Sequence, residues 1–147
     1  MVEYPAIKYA CDTAIEMNEP VLYLHTKGAA NPKTWIQIPT RKIWKQEFGD
    51  LDRAKKLFQI ANTDKPLVVC PFSGKGRETW FNGFIINPNA AKILIKSLKK
   101  PNECERHYYE RMFTKLPSVG IFCSIHNQCN SIRDMLSFLS QYKKKFK

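Results

Sequence analysis

Three short runs carry side chains able to do chemistry, and each follows an apolar stretch. His25-Thr26-Lys27-Gly28 leaves Val21-Leu22-Tyr23-Leu24. Ser73-Gly74-Lys75-Gly76-Arg77-Glu78 lies between Leu67-Val68-Val69-Cys70 and the run Thr79–Ile86. Ser124-Ile125-His126-Asn127 follows Val119–Cys123. Lys27, Lys75 and Arg77 are cations suited to neutralising phosphate, and His25 and Thr26 can donate hydrogen bonds to it. Asn82 can both donate to and accept from sugar hydroxyls. Trp80 offers apolar surface, and Gly83 permits close approach of a ligand or of another backbone. Glu78 and His126 are the groups able to take a proton from an attacking hydroxyl. Each also has a plainer reading: a strand-end residue on the surface, a glutamate paired with Arg77, a glycine in an ordinary strand.

Several competing chemistries fail on spacing. A P-loop needs G-x-x-x-x-G-K-[ST] between a strand and a helix. Here Arg77-Glu78 follow the Gly-Lys-Gly, no Ser or Thr is placed to hold magnesium, and an apolar run stands where the helix should begin. Gly74–Glu78 therefore reads as a turn between two strands. Asp50-Leu51-Asp52 lies in a helical pattern, where residues two apart point about 200° apart and cannot share one ion. Cys104, His107, Cys123, His126 and Cys129 are soft ligand types, but paired C-x2-C knuckles are absent. The five cysteines read as free, buried or partly buried thiols rather than a disulfide framework, and no metal site is assigned.

The elements that must position these runs are legible from periodicity. Ile7, Ala10, Cys11 and Ala14 recur at helical spacing after Pro5. Val21–Leu24, Leu67–Cys70, Thr79–Ile86 and Val119–Ser124 read as strands. The first is expected to be buried on both faces and central, with its end opening into the main pocket. Asn31–Thr40 reads as loop. Arg41 to Asn62 reads as an amphipathic helix marked by Trp44, Phe48, Leu51 and Phe58, with Gly49 as a break. Asn87-Pro88 caps a helix carrying Ala91, Leu94, Ile95 and Leu98. Tyr109, Met112, Phe113 and Leu116 mark another helix, with His107 inside it, and Ile132, Met135, Leu136 and Leu139 the last. Alternating strands and helices predict one α/β domain over residues 1–147, with a mixed, mostly parallel sheet flanked by helices. In such sheets ligands bind beyond the carboxyl ends of strands, which selects His25–Gly28, Pro71–Glu78 and Ser124–Asn127.

At 147 residues and 44% hydrophobic, the chain can build a real core. No apolar run approaches the ~20 residues of a membrane span. The acidic start lacks the order of a signal peptide, so a cytoplasmic protein is expected. The net charge of +11 is uneven: residues 92–147 hold twelve Lys/Arg against four Asp/Glu. That excess, ending in a basic tail over 140–147, suits an anionic partner or a solvated lysine-rich face.

Two stretches together resemble the GT-A-type glycosyltransferases, including glycosyltransferase-like proteins of bacterial polysaccharide clusters. "VLYLHTKG" is similar to the family's apolar strand ending in Asp-x-Asp, and "WFNGFIIN" to the later strand that lines the sugar site. "HYYERMF" is similar to a helix that follows. The resemblance covers Val21 to about Phe113. It implies the second half of a GT-A fold, lacking the N-terminal nucleobase-binding strands. A missing segment or a partner chain would supply them. It also implies a sugar nucleotide or phosphorylated sugar as ligand and a saccharide acceptor, with transfer of the sugar if the domain is active. The family often uses manganese or magnesium. Here the Asp-x-Asp position reads His25-Thr26-Lys27, so Lys27 stands in for the metal's charge and no cofactor is expected. His25, Thr26, Lys27, Gly28, Lys75, Arg77, Trp80, Asn82 and Gly83 would bind substrate, with Glu78 and His126 as candidate catalytic residues. The alternatives are a basic module binding nucleic acid and a non-catalytic interaction domain. Against the first, the aromatics fall at core spacing and no RRM, KH or zinc-finger signature occurs.

Overall fold

The computed structural model describes residues 3–24, 37–74, 77, 79, 83–105, 108–129, 134 and 137. The elements in chain order are α1 (Glu3–Met17), β1 (Val21–Leu24), α2 (Gln37–Phe48), α3 (Leu51–Ala61), β2 (Leu67–Gly74), β3 (Gly83–Ile86), α4 (Pro88–Ser97), α5 (Tyr108–Arg111) and β4 (Gly120–Cys129). Short 3-10 turns at Pro101–Glu103 and Met112–Lys115 flank α5. The result is a single small α/β domain around a four-stranded mixed sheet.

The strand order is β1-β3-β2-β4. β3 is antiparallel to both β1 and β2, while β2 and β4 are parallel. Thus β1, β2 and β4 run in one direction and β3 against them. The expectation of mostly parallel pairing is corrected: β3 inserts between β1 and β2 and leaves one parallel pair. The same insertion corrects the expectation of a central β1. It is the edge strand of the described sheet, and Leu24 at its end is 40% exposed.

Helices cover both faces. On one face Val68, Cys70, Phe84, Ile86 and Tyr23 pack with Ile7, Ala10, Cys11 and Ala14 of α1, Ala90, Ala91 and Leu94 of α4, and Tyr109, Met112 and Phe113. On the other, Val69 and Ile85 pack with Leu57 and Ala61 of α3. This alternation along β2 and β3 is the period-two consequence of strand geometry. Each fully buried large side chain contributes about 1.5–3 kcal/mol of transfer free energy.

The Arg41–Asn62 pattern is two helices, and Gly49 and Asp50 are the joint. A Cβ on Gly49 would lie 2.5 Å from the Lys45 carbonyl oxygen, so a larger residue would disturb the end of α2. Asp50 then caps α3, accepting a hydrogen bond from the Arg53 N–H at 2.8 Å. The restart changes the helical phase: Leu57 and Ala61 face the core while Leu51 is 68% exposed. α2 also begins earlier than the sequence suggests, at Gln37, with Pro39 in its first turn. First-turn N–H groups lack intrahelical partners, so proline costs little there.

Asn87 joins three segments. Its buried Oδ1 accepts from the N–H of Ala90 at 2.9 Å and of Leu67 at 3.1 Å. Its Nδ2 donates to the carbonyls of Thr63 (3.0 Å) and Lys65 (2.7 Å). The cap of α4 thereby also fixes the entry into β2. Among the described residues no helix is long and apolar enough to cross a membrane.

Candidate functional site

The carboxyl ends of β1, β2 and β4 and the start of β3 lie at one end of the sheet, as the strand directions require. β1 pairs with β3 in the register Val21↔Ile86, Leu22↔Ile85, Tyr23↔Phe84 and Leu24↔Gly83. Chain leaving Leu24 and chain entering Gly83 are therefore neighbours. His25, Thr26, Lys27, Gly28, Lys75, Glu78, Trp80 and Asn82 lie outside the described residues. Of the residues selected from sequence, Arg77, Gly83 and the backbone of His126 are described.

Of the expected turn Gly74–Glu78, Gly74 and Arg77 are described, and residues 75, 76 and 78 lie outside the described residues. The Arg77 N–H donates to the Gly74 carbonyl at 3.0 Å, and Ser73 bridges Thr79 in antiparallel fashion. Arg77 itself has φ of 65°, the left-handed region, which its side-chain bonds offset. Its guanidinium donates to three backbone carbonyls: Phe113 (3.4 Å, from Nε), Leu116 (3.2 Å) and Val119, the last two from Nη2. The guanidinium ties Arg77 to the segment before β4.

Gly83 is closely approached, but by a side chain, that of Trp44, rather than by another backbone. A Cβ there would lie 2.5 Å from the indole Nε1 and 3.4 Å from a Leu24 methyl. A side chain of α2 thus occupies the space beside the first residue of β3.

β2 and β4 both run further than their apolar cores suggest. β2 continues through Pro71 and Phe72 to Gly74, with register shifts between Cys70 and Phe72 and between Phe72 and Gly74. A proline lacks the donor a ladder needs, and such irregularities are where it is tolerated. His126 is consequently a strand residue paired with Phe72, rather than a loop residue beyond β4.

Two polar clusters flank this region, and sequence reasoning selected neither. Glu47 of α2 is 0% exposed. Its Oε2 accepts from Ser124 Oγ of β4 at 2.6 Å and from Arg53 Nη2 and Nε of α3 at 2.9 and 3.2 Å. Arg53 Nη2 also reaches the Ser124 carbonyl at 3.4 Å. Glu47 Oε1 is buried and takes no hydrogen bond from the described residues. The signal in the sequence is a charged residue one helical turn from Trp44 and Ile43, on the inward stripe of α2.

The second cluster is on the opposite face. Cys70 and Cys123 are register partners on the parallel strands β2 and β4, with Sγ atoms 3.9 Å apart. Cys123 S–H donates to Ser73 Oγ at 3.1 Å, and Cys70 S–H lies 3.3 Å from the Phe72 carbonyl. The Cys70 hydrogen bond lowers the Cys123 thiol to about 7, with help from the Ser73 hydroxyl and backbone and against burial. Cys70, bonded to Cys123 and fully buried, is pushed well above the usual thiol range.

The "HYYERMF" stretch pins α5 to the end of α4. Tyr108 Oη donates to the Ser97 carbonyl at 2.7 Å and accepts from the Lys99 N–H at 3.2 Å; Tyr109 Oη donates to the Lys99 carbonyl at 3.0 Å. A cleft of about 610 Å³ beside them is lined by Lys99, Glu103, Cys104, Tyr108, Arg111 and Lys115 among others. Cys104 in that cleft donates to the Lys100 carbonyl at 3.2 Å, and among the described residues no three His, Cys, Asp or Glu side chains gather as a metal site. Comparison with protein-family models, with curated proteins and with solved structures finds no match to this chain.

Proposed function

We propose that the chain is a GT-A-like glycosyltransferase domain that binds a sugar nucleotide or phosphorylated sugar without a metal ion. The observation that carries this reading is the Leu24↔Gly83 register. It makes neighbours of the two stretches on which the family resemblance rests. Three residues of chain reach at most about 11 Å, so Lys27 stays within that distance of Leu24. Asn82 is bonded directly to Gly83. One diphosphate-sugar can span both groups. Lys27 neutralises the diphosphate, His25 and Lys75 add donors, and Asn82 takes the sugar hydroxyls. Arg77 serves the ligand indirectly, by anchoring the chain between Lys75 and Glu78 to the segment before β4. Transfer to a saccharide acceptor would use Glu78 as base.

The test is a titration of a nucleoside diphosphate into the wild type and Lys27→Ala, with manganese and then with chelator. We expect binding that survives chelation and weakens roughly tenfold to a hundredfold in the variant, about 1.5–3 kcal/mol for a charge-assisted contact. Binding that vanishes with chelator would return a metal to the mechanism. Equal affinity in both proteins would remove Lys27 from the site. No binding under any condition would overturn the reading in favour of an interaction domain. Salt-dependent binding of single-stranded nucleic acid would overturn it in favour of the basic module.

A further inference from the structure

The Cys70–Cys123–Ser73 cluster has no part in the sugar-phosphate reading, yet its geometry is that of a reactive dithiol. Neighbouring strands lie about 4.8 Å apart, inside the Cα separation of about 4.4–6.8 Å that a disulfide accepts. Cys70 and Cys123 are partners in the β2–β4 register, and their sulfurs are already 3.9 Å apart. Closing to the ~2.05 Å of an S–S bond takes side-chain rotation rather than strand movement. The two thiols differ in access. Cys70 is 0% exposed, whereas Cys123 is half-buried. An outside reagent therefore meets Cys123 first.

We propose that Cys123 is a thiol–disulfide exchange site for small-molecule disulfides, with Cys70 as its resolving thiol. The Cys123 thiolate attacks one sulfur of a small disulfide RSSR. A new S–S bond forms, the old one breaks, and RS⁻ leaves. Cys70 then gives its proton to that departing thiolate and attacks Cys123 Sγ, expelling a second RS⁻. Two protein thiols are oxidised to one disulfide, and one small disulfide is reduced to two thiols. Ser73 supports the first step. Its hydroxyl accepts from the Cys123 thiol and can rotate to donate once the sulfur is a thiolate. The lowered thiol at Cys123 and the raised one at Cys70 fit the same order of events. The site is independent of the sugar-phosphate reading, so either can fail alone.

The experiment treats the full chain with glutathione disulfide at neutral pH, quenches with acid and maps the cysteines by mass spectrometry. The wild type should yield a Cys70–Cys123 cross-linked peptide, with Cys123 consumed at least about tenfold faster than Cys104. Cys70→Ser should stop at a stable mixed disulfide on Cys123. Cys123→Ser should protect Cys70 while leaving Cys104 unchanged. Cys70→Ala provides the same arrest should the serine variant fail to fold, and the wild-type cross-link needs no variant at all. A wild-type adduct that persists on Cys123 with Cys70 still reduced would overturn the resolving role. Equal rates at Cys123 and Cys104 would overturn the exchange site itself.

Discussion

Arg77 is the residue at which charge and architecture meet. Its guanidinium is directed at the carbonyls of Phe113, Leu116 and Val119, so removing it leaves three acceptors to find water. Hydrogen bonds to charged groups contribute about 1.5–3 kcal/mol each, but the three share one side chain and do not add. Arg77→Ala should lower unfolding free energy by about 2–4 kcal/mol in a denaturant titration. Arg77→Lys should recover little of that loss, because a lysine lacks the planar fork that reaches several carbonyls at once. A lysine variant as stable as the wild type would show that charge alone suffices there. Glu47 makes the same point in the core. A carboxylate buried among helix and strand is kept by Arg53 and Ser124, which hold Oε2 from two different elements.

Among the elements, α2 matters most for the end of the sheet. It places Trp44 against Gly83 and Glu47 against Ser124, and so contacts both β3 and β4 at the end where the sequence-selected runs emerge. Gly83→Ala would set a methyl 2.5 Å from the indole nitrogen, and a rigid two-ring side chain cannot yield as a lysine tip would. Overpacking of this kind costs about 1–3 kcal/mol. The expected outcome is a lower thermal midpoint together with a changed tryptophan emission spectrum. The emission change should disappear in a Trp44→Phe background, which separates the indole's displacement from any effect on the other tryptophans. An unchanged spectrum would mean that the strand, rather than the indole, gives way.

At the scale of the whole molecule, two buried neutral acids make stability depend on alkaline pH. Burial holds the Cys11 thiol up at about 12 and pushes the Tyr23 hydroxyl above its usual value. Both side chains belong to the larger core, where α1 meets the sheet. Below the ordinary values near 9 and 10, each group is neutral in folded and unfolded chain alike, and its contribution to stability is fully present. As pH rises past those values the unfolded chain releases protons that the folded chain retains, and the contribution is lost towards the folded values. Unfolding free energy should therefore fall steadily above about pH 9. Cys11→Ala, measured against the wild type, should be relatively less destabilised at pH 10.5 than at pH 7. A pH-independent difference between the two proteins would show that the thiol does not titrate with unfolding.

The sequence by itself determined the local elements. Ile7, Ala10, Cys11 and Ala14 mark α1, and Asn87-Pro88 starts α4. Those signals depend on residues within a few positions of one another, through rotamer crowding, caps and backbone freedom. Only the tertiary structure decided that β3 lies between β1 and β2, that β1 is the edge of the described sheet, and that β2 continues past Pro71. It also decided that Trp44 fills the space beside Gly83 and that Cys70 and Cys123, 53 residues apart, share a register position. Strand order is a competition among backbone partners distant in sequence. It is decided by which pairing buries both faces of each strand and leaves the fewest unmet hydrogen bonds. A residue such as Glu47, whose partners come from α3 and β4, carries no local mark of its role beyond its position on the inward stripe of its helix.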